Sequence, residues 1–168
     1  MPDVRQIVSD TGPILHLREA GTLDTLGAAG QVFIPSAVET EIAALDVAWS
    51  RDRPEWIETV ALQPSFQGHA SDWMKAGLLD PGEAEALALA NQLHAEWLLT
   101  DDTAARLVAS RLGLEVHGSL GVVLWAAASG HFSRAEAENA LEALTHTSLW
   151  LSARVLDEAR GALRQIFS

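Results

Sequence analysis

The chain alternates short apolar runs with longer stretches in which apolar residues recur every three or four positions, as buried strands and amphipathic helices do. Gln6, Ile7, Val8 and Ser9 predict a buried strand that stops at Asp10, where Thr11, Gly12 and Pro13 turn the chain. Ile14, Leu15 and Leu17 then fall on a helix running to Ala20 and closed by Gly21, and Leu23 and Leu26 open a further short turn. Val32, Phe33 and Ile34 predict the second strand, after which Pro35 and Ser36 start a helix that carries Ala37, Val38, Glu41 and Ile42 at helical spacing. Residues 49–54 read as a charged loop, 56–62 as an edge strand, 63–69 as a connector and 71–78 as a short helix.

Asp80, Pro81 and Gly82 introduce an alanine- and leucine-rich helix over 83–93, with Glu83 in its first turn. Trp97 to Thr100 form an apolar run that ends at Asp101 and Asp102; a helix over 103–112 stopped by Gly113 and a last strand over 114–116 follow. Three more helices are expected over 121–129, 134–145 and 151–166, the second opened by Ser133 with Glu136 three residues on, a capping box.

Strands separated by helices need crossover connections, so the pattern predicts an α/β fold, an α/β/α sandwich about a mostly parallel central sheet. Ligand sites in such sheets collect outside the carboxyl ends of the strands. Asp10 and the pair Asp101 and Asp102 fall there, and Glu41 and Glu83, read as first-turn acids of helices starting on the same rim, bring carboxylates from two further segments. Carboxylates gathered at one point raise one another's pKa, and a hard divalent cation with oxygen ligands relieves the repulsion. Taken singly, Asp10 and Asp102 fit helix caps, and Glu41 and Glu83 fit acids favoured by a helix dipole. Glu85 does not share a helix face with Glu83 and reads as solvated.

Composition narrows the chemistry. The chain has 168 residues, the length of one ordinary domain, and 48% apolar with 20% charged residues is globular usage. With no cysteine, disulfides, thiolate metal sites and a catalytic thiol are excluded, and any metal binds oxygen or imidazole. His16, His69, His94, His117, His131 and His146 lack zinc-hydrolase spacing and read as surface or structural residues; the six tryptophans read as packing residues rather than base-stacking platforms. The absence of an N-terminal signal pattern and of a long apolar stretch points to a cytoplasmic protein that does not enter a membrane. The net charge is −12, with Lys75 the one lysine among ten arginines, which argues against broad phosphate neutralisation and leaves positive charge to a bound cation or a partner protein.

Val8-Ser9-Asp10-Thr11-Gly12-Pro13-Ile14-Leu15, Ile34-Pro35-Ser36-Ala37-Val38 running to Glu41-Ile42, Gly82-Glu83-Ala84-Glu85-Ala86 and Leu99-Thr100-Asp101-Asp102 resemble the ordered motifs of the PIN-domain family. Ala105-Arg106, Ala109, Leu112-Gly113-Leu114 and Gly118-Ser119-Leu120-Gly121 continue the resemblance toward a bacterial and archaeal branch similar to the toxin components of VapBC toxin–antitoxin pairs. The resemblance covers roughly residues 5–130 and implies one PIN-like domain over 1–168, with C-terminal helices over 131–168 added to the core. It further implies Mg²⁺- or Mn²⁺-dependent cleavage of RNA, a homodimer and an antitoxin partner. By the same resemblance Asp10, Glu41, Glu83 and Asp102 are the catalytic acids and, with Asp101, the metal ligands, while Thr11 and Asp101 support them. Glu83 departs from the pattern by standing where many relatives carry aspartate. Two other function classes stay open: a non-catalytic interaction module, and a phosphohydrolase with Asp10 as nucleophile, although the second acid such enzymes carry two residues later is replaced here by Gly12.

Overall fold

The computed structural model describes residues 3–168. In chain order its elements are β1 (Gln6–Ser9), α1 (Thr11–Glu19), α2 (Asp24–Ala29), β2 (Gln31–Ile34), α3 (Ser36–Leu45), α4 (Trp49–Asp52), β3 (Ile57–Thr59) and α5 (Pro64–Lys75). They continue as α6 (Pro81–Leu93), β4 (Trp97–Leu99), α7 (Thr103–Arg111), β5 (Val116–His117), α8 (Ser119–Ala128), α9 (Arg134–Leu144) and α10 (Ala153–Ile166). The five strands form one sheet in the order β3-β2-β1-β4-β5 with every neighbouring pair parallel, in keeping with the expected α/β/α sandwich. β1 lies in the middle, its Ile7 opposite Val32 on one side and Trp97 on the other. Ile7 and Val8 are wholly buried on opposite faces, which requires helices on both faces of the sheet.

The chain leaves β1 in one direction through β2 and β3 and returns to the other side of β1 as β4 and β5. The crevice between the carboxyl ends of β1 and β4 is therefore the topological switch point, where open parallel sheets hold their ligands. Asp10 follows β1 there, and its backbone N–H extends the ladder by bonding Leu99 O at 2.8 Å. Asp101 and Asp102 follow β4.

Several boundaries differ from the sequence-based expectation. Residues 49–54 hold the short helix α4, because Trp49 is a fully buried anchor whose Nε1 donates to the Glu39 carboxylate at 3.1 Å. The connector over 63–69 and the helix over 71–78 are a single helix α5 that starts with Pro64 in its first turn; Gly68 and the polar residues around it mask its continuity in the sequence. The strand expected over 114–116 is Val116–His117, since Leu114 still closes the preceding helix through its N–H to Ala109 O. Glu41 lies in the second turn of α3, not the first, and Glu39 is the first-turn acid. Glu85 is half-buried rather than solvated, and its Oε1 accepts the Ala37 N–H at 3.2 Å, tying α6 to the start of α3.

A second apolar cluster, Ala127, Ala137, Leu141, Ala159 and Leu163, joins α8, α9 and α10 beside the main core. Between α9 and α10 the chain is irregular, and Ser148 is pinned to α1 by Glu19, which accepts both its N–H and its hydroxyl.

Candidate active site

All five acids predicted from the sequence, with Thr11, line one cavity of about 440 Å³ at the switch point. Four chain segments deliver them, and the local hydrogen bonds explain why each acid stands where it does.

Asp10 caps α1: its Oδ1 accepts the Thr11 N–H at 2.7 Å, and its Oδ2 accepts the hydroxyl of Thr100 at 3.0 Å. Thr100, 1% exposed, also accepts the Asp102 N–H at 3.2 Å, so one buried hydroxyl sets the spacing between the ends of β1 and β4. Asp102 caps α7 through Oδ2, which accepts the Ala105 N–H at 2.8 Å. Asp80 and Glu83 form a capping box on α6, with Glu83 N–H to Asp80 Oδ1 at 2.9 Å and Asp80 N–H to Glu83 Oε2 at 3.0 Å. The cap readings of Asp10, Asp102 and Glu83 are thus realised together with their convergence; capping fixes each acid and leaves Asp102 Oδ1 and Glu83 Oε1 without a protein donor among the described residues.

Glu41 reaches across to the start of α6. Its Oε1 accepts the Gly82 N–H at 3.0 Å and its other oxygen takes the Thr11 hydroxyl. The N-terminal peptide dipoles of α6 stabilise that charge. A methyl group at the Gly82 Cα would run into the Glu41 carboxylate, so any larger residue there would push that carboxylate off the Gly82 N–H. The same device recurs on the other side: Asp101 Oδ1 accepts the Ser119 N–H at the start of α8 at 2.7 Å, and a Cβ on Gly118 would stand 2.6 Å from that oxygen.

Burial dominates the electrostatics. Asp10 is 6% exposed, and loss of water pushes its carboxyl from 3.8 up to about 6, against the pull of the Thr11 and Thr100 bonds and with help from Asp80 and Glu41. Burial also pushes Glu83 up, to about 7, with repulsion from Asp80, Asp102 and Asp10 added. Asp101 goes the other way: burial raises it, but the bonds from His16 and Ser119 outweigh that and hold it below the usual carboxylate range. His16 Nδ1 donates to Asp101 Oδ2 at 2.7 Å, and Ser119 Oγ donates to the same oxygen at 2.5 Å. Asp101 therefore accepts three bonds from its own neighbours, one on Oδ1 and two on Oδ2, and ties α1, β4 and α8 together.

The residues fit a hard divalent cation in donor chemistry. Asp10, Glu41, Glu83 and Asp102 offer carboxylate oxygens, and two of these groups carry charge that burial and like neighbours destabilise. As placed, no three acidic or imidazole side chains among the described residues form a group that could hold a metal ion, so the donors are present in one cavity without forming a metal-binding group.

His16, Asp80, Thr100 and Ser119 belong to the site although the sequence reading assigned them no role there. Asp80 has a sequence signal, the Asp-Pro-Gly-Glu run that opens α6, and Ser119 has one in Gly118-Ser119. His16 has none, because its partner lies 85 residues away.

The fold is thus an all-parallel α/β domain with an acidic crevice at its switch point. The profile of the PIN-domain family matches residues 6–165, and the chain belongs to that family. The match reaches the last turn of α10, past residue 130 where the motif resemblance ends, so it takes in the C-terminal helices. No curated protein matches the chain closely enough to lend it a more specific activity. No helix among the described residues is long and apolar enough to cross a membrane.

Proposed function

We propose that the chain is a divalent-metal-dependent endoribonuclease that hydrolyses RNA phosphodiester bonds, and that it is the toxin of a toxin–antitoxin pair. The observation that carries the first part is the gathering of Asp10, Glu41, Glu83 and Asp102 from four chain segments around one cavity, two of them with carboxyls pushed up to about 6 and about 7. The toxin role rests on the resemblance of the motifs.

Asp10 and Asp102 would hold Mg²⁺ or Mn²⁺ directly, with Glu41 and Glu83 completing the set directly or through water. Bound there, the cation supplies charge to the scissile phosphate and lowers the pKa of the attacking water. The protein's own part is positioning. Thr100 fixes the separation of Asp10 from Asp102, Thr11 and Gly82 hold Glu41 toward the cavity, and Asp101 keeps α1 and α8 in place around them through His16 and Ser119. Glu83 Oε1, like Asp102 Oδ1 without a protein donor among the described residues, is an atom that would hold a water molecule or take its proton.

A non-catalytic interaction module is the second reading, favoured by the absence of a preformed metal-binding group among the described residues. Purified protein is incubated with a single-stranded RNA pool in Mg²⁺, Mn²⁺ or EDTA beside Asp10→Asn. Metal-dependent cutting that falls by about 100-fold or more in the variant is expected for an acid central to charge stabilisation. No cutting by folded protein under any metal would sink the nuclease reading in favour of the module. An antitoxin partner is tested by co-expression with the neighbouring reading frame, which should suppress the cutting.

A further inference from the structure

We propose that Trp150 and Arg106 form a subsite that stacks an unpaired base and holds the adjoining phosphate of the RNA strand, immediately beside the acidic cavity. The assignment deepens the nuclease reading and rests on it.

Five of the six tryptophans are packed: Trp49 and Trp97 are buried, Trp125 lies edge-on to Trp97 and stacks on His131, and Trp56 and Trp73 are half-buried against the main core. Trp150 alone is exposed, at 82%. The fold enforces that exposure. Leu149 and Leu151 both pack against the main core in a segment that is neither helix nor turn, so the residue between them is turned outward. The bonds from Ser148 to Glu19, 3.0 and 2.6 Å, fasten the start of this segment to α1. An exposed indole on a fastened backbone loses little conformational entropy when a flat ligand covers it.

Its location gives the ligand. Trp150 lines the acidic cavity and also a second cavity of about 390 Å³ that contains Arg106, Gly118 and Leu124, so it forms a wall between the two. Six of the ten arginines, Arg18, Arg51, Arg53, Arg134, Arg154 and Arg160, are paired with carboxylates. Arg106 enters no ion pair among the described residues; its guanidinium makes one long bond, 3.4 Å, to Thr100 O at the end of β4. A cation free to meet a phosphate therefore sits across the second cavity from an exposed indole, next to the carboxylates that would hold the cutting metal. A nucleotide offers both complements, an aromatic face and an anion. Only an unpaired base exposes its face to a single indole, so the substrate strand is single-stranded at this position.

The test measures binding of a short fluorescein-labelled oligoribonucleotide, single-stranded or as a duplex, in EDTA at low salt, by wild type, W150A, W150F and R106Q. Stacking on the indole predicts that W150A binds the single strand about tenfold more weakly, while W150F stays near wild type and the duplex is indifferent. R106Q should weaken single-strand binding and lower the slope of log K against log salt by about one. Unchanged thermal melting of W150A shows that the fold is intact. W150A binding the single strand like wild type overturns the proposal. So does a W150A protein that changes its oligomeric state on gel filtration yet keeps its RNA affinity, which would make Trp150 a protein contact. Because cleavage plays no part in the measurement, Trp150-dependent binding by a protein that fails to cut would sink the nuclease reading alone, whereas cutting with Trp150-independent binding would sink the subsite alone.

Discussion

Asp10→Asn should stabilise the metal-free protein while removing its activity. Asp10 is nearly enclosed, and burial moves its carboxyl from 3.8 to about 6. An acid whose folded pKa is raised destabilises the fold when ionised. Its contribution is nil below the unfolded pKa, where it is protonated in both states, grows between 3.8 and about 6, and is complete above that. A shift of about two units corresponds to about 3 kcal/mol at pH 8. Asparagine removes the charge and keeps an oxygen for the Thr11 N–H, but its amide must donate to the Thr100 hydroxyl, which already accepts from Asp102 N–H. A hydroxyl oxygen has two acceptor sites, so the exchange is feasible at a cost of about 1 kcal/mol. The net expectation is a gain of about 2 kcal/mol, and for a chain of this length each kcal/mol moves Tm by about 2–4 °C. In EDTA at pH 8 the variant should therefore melt about 4–8 °C above wild type, and the gain should vanish near pH 4. Mn²⁺ should raise the wild-type Tm and leave the variant nearly unmoved. A variant that melts below wild type by the same amount at both pH values would refute the burial argument.

Three further outcomes follow from the same geometry. Gly82→Ala should lose about 1–3 kcal/mol in urea unfolding, against the modest helix-propensity gain alanine usually brings, and should lose at least about tenfold in cutting, because the methyl group displaces Glu41 from the start of α6. Asp101→Asn should destabilise by about 2 kcal/mol at pH 7, and the difference should fade as pH drops through the lowered carboxyl, since a depressed acid contributes its stability only above the range in which it protonates. Titration of Mn²⁺ followed by calorimetry should show affinity falling as pH drops below 7 and falling more steeply below 6, as protons claim first Glu83 and then Asp10; a pH-independent affinity between 5 and 8 would exclude both as ligands.

The legible part of this structure is the part written in local periodicity. β1 and β4 are short apolar runs buried on both faces, β2 is one with Val32 and Ile34 buried on one face and Phe33 half-buried on the other, and each could be read from three or four residues. α6 could be read from its Asp-Pro-Gly-Glu opening and its alanine run. The local pattern divides α5 because Gly68 and its polar surroundings have weak intrinsic helix preference; packing against α6 makes up the difference, and such packing leaves no mark in local periodicity.

The acids divide along the same line. Asp10, Asp102 and Glu83 sit at helix starts, where a carboxylate has a local reason to be, and the sequence could place them on the rim for that reason alone. Glu41 and Asp101 are held by helices other than their own, α6 and α8, through the N–H groups of Gly82 and Ser119. Their local surroundings therefore predict nothing about their direction. What does predict it is the glycine at or beside each donating N–H: Gly82 and Gly118 sit at helix starts where other residues would cap or propagate better, and each has a carboxylate from a distant segment where its side chain would be. A glycine at a helix start on the switch-point rim, paired with an unassigned acid elsewhere, is thus a sequence-level sign of a helix that holds another segment's charge. The motif glycines of this chain are part of the acidic site as much as the acids are.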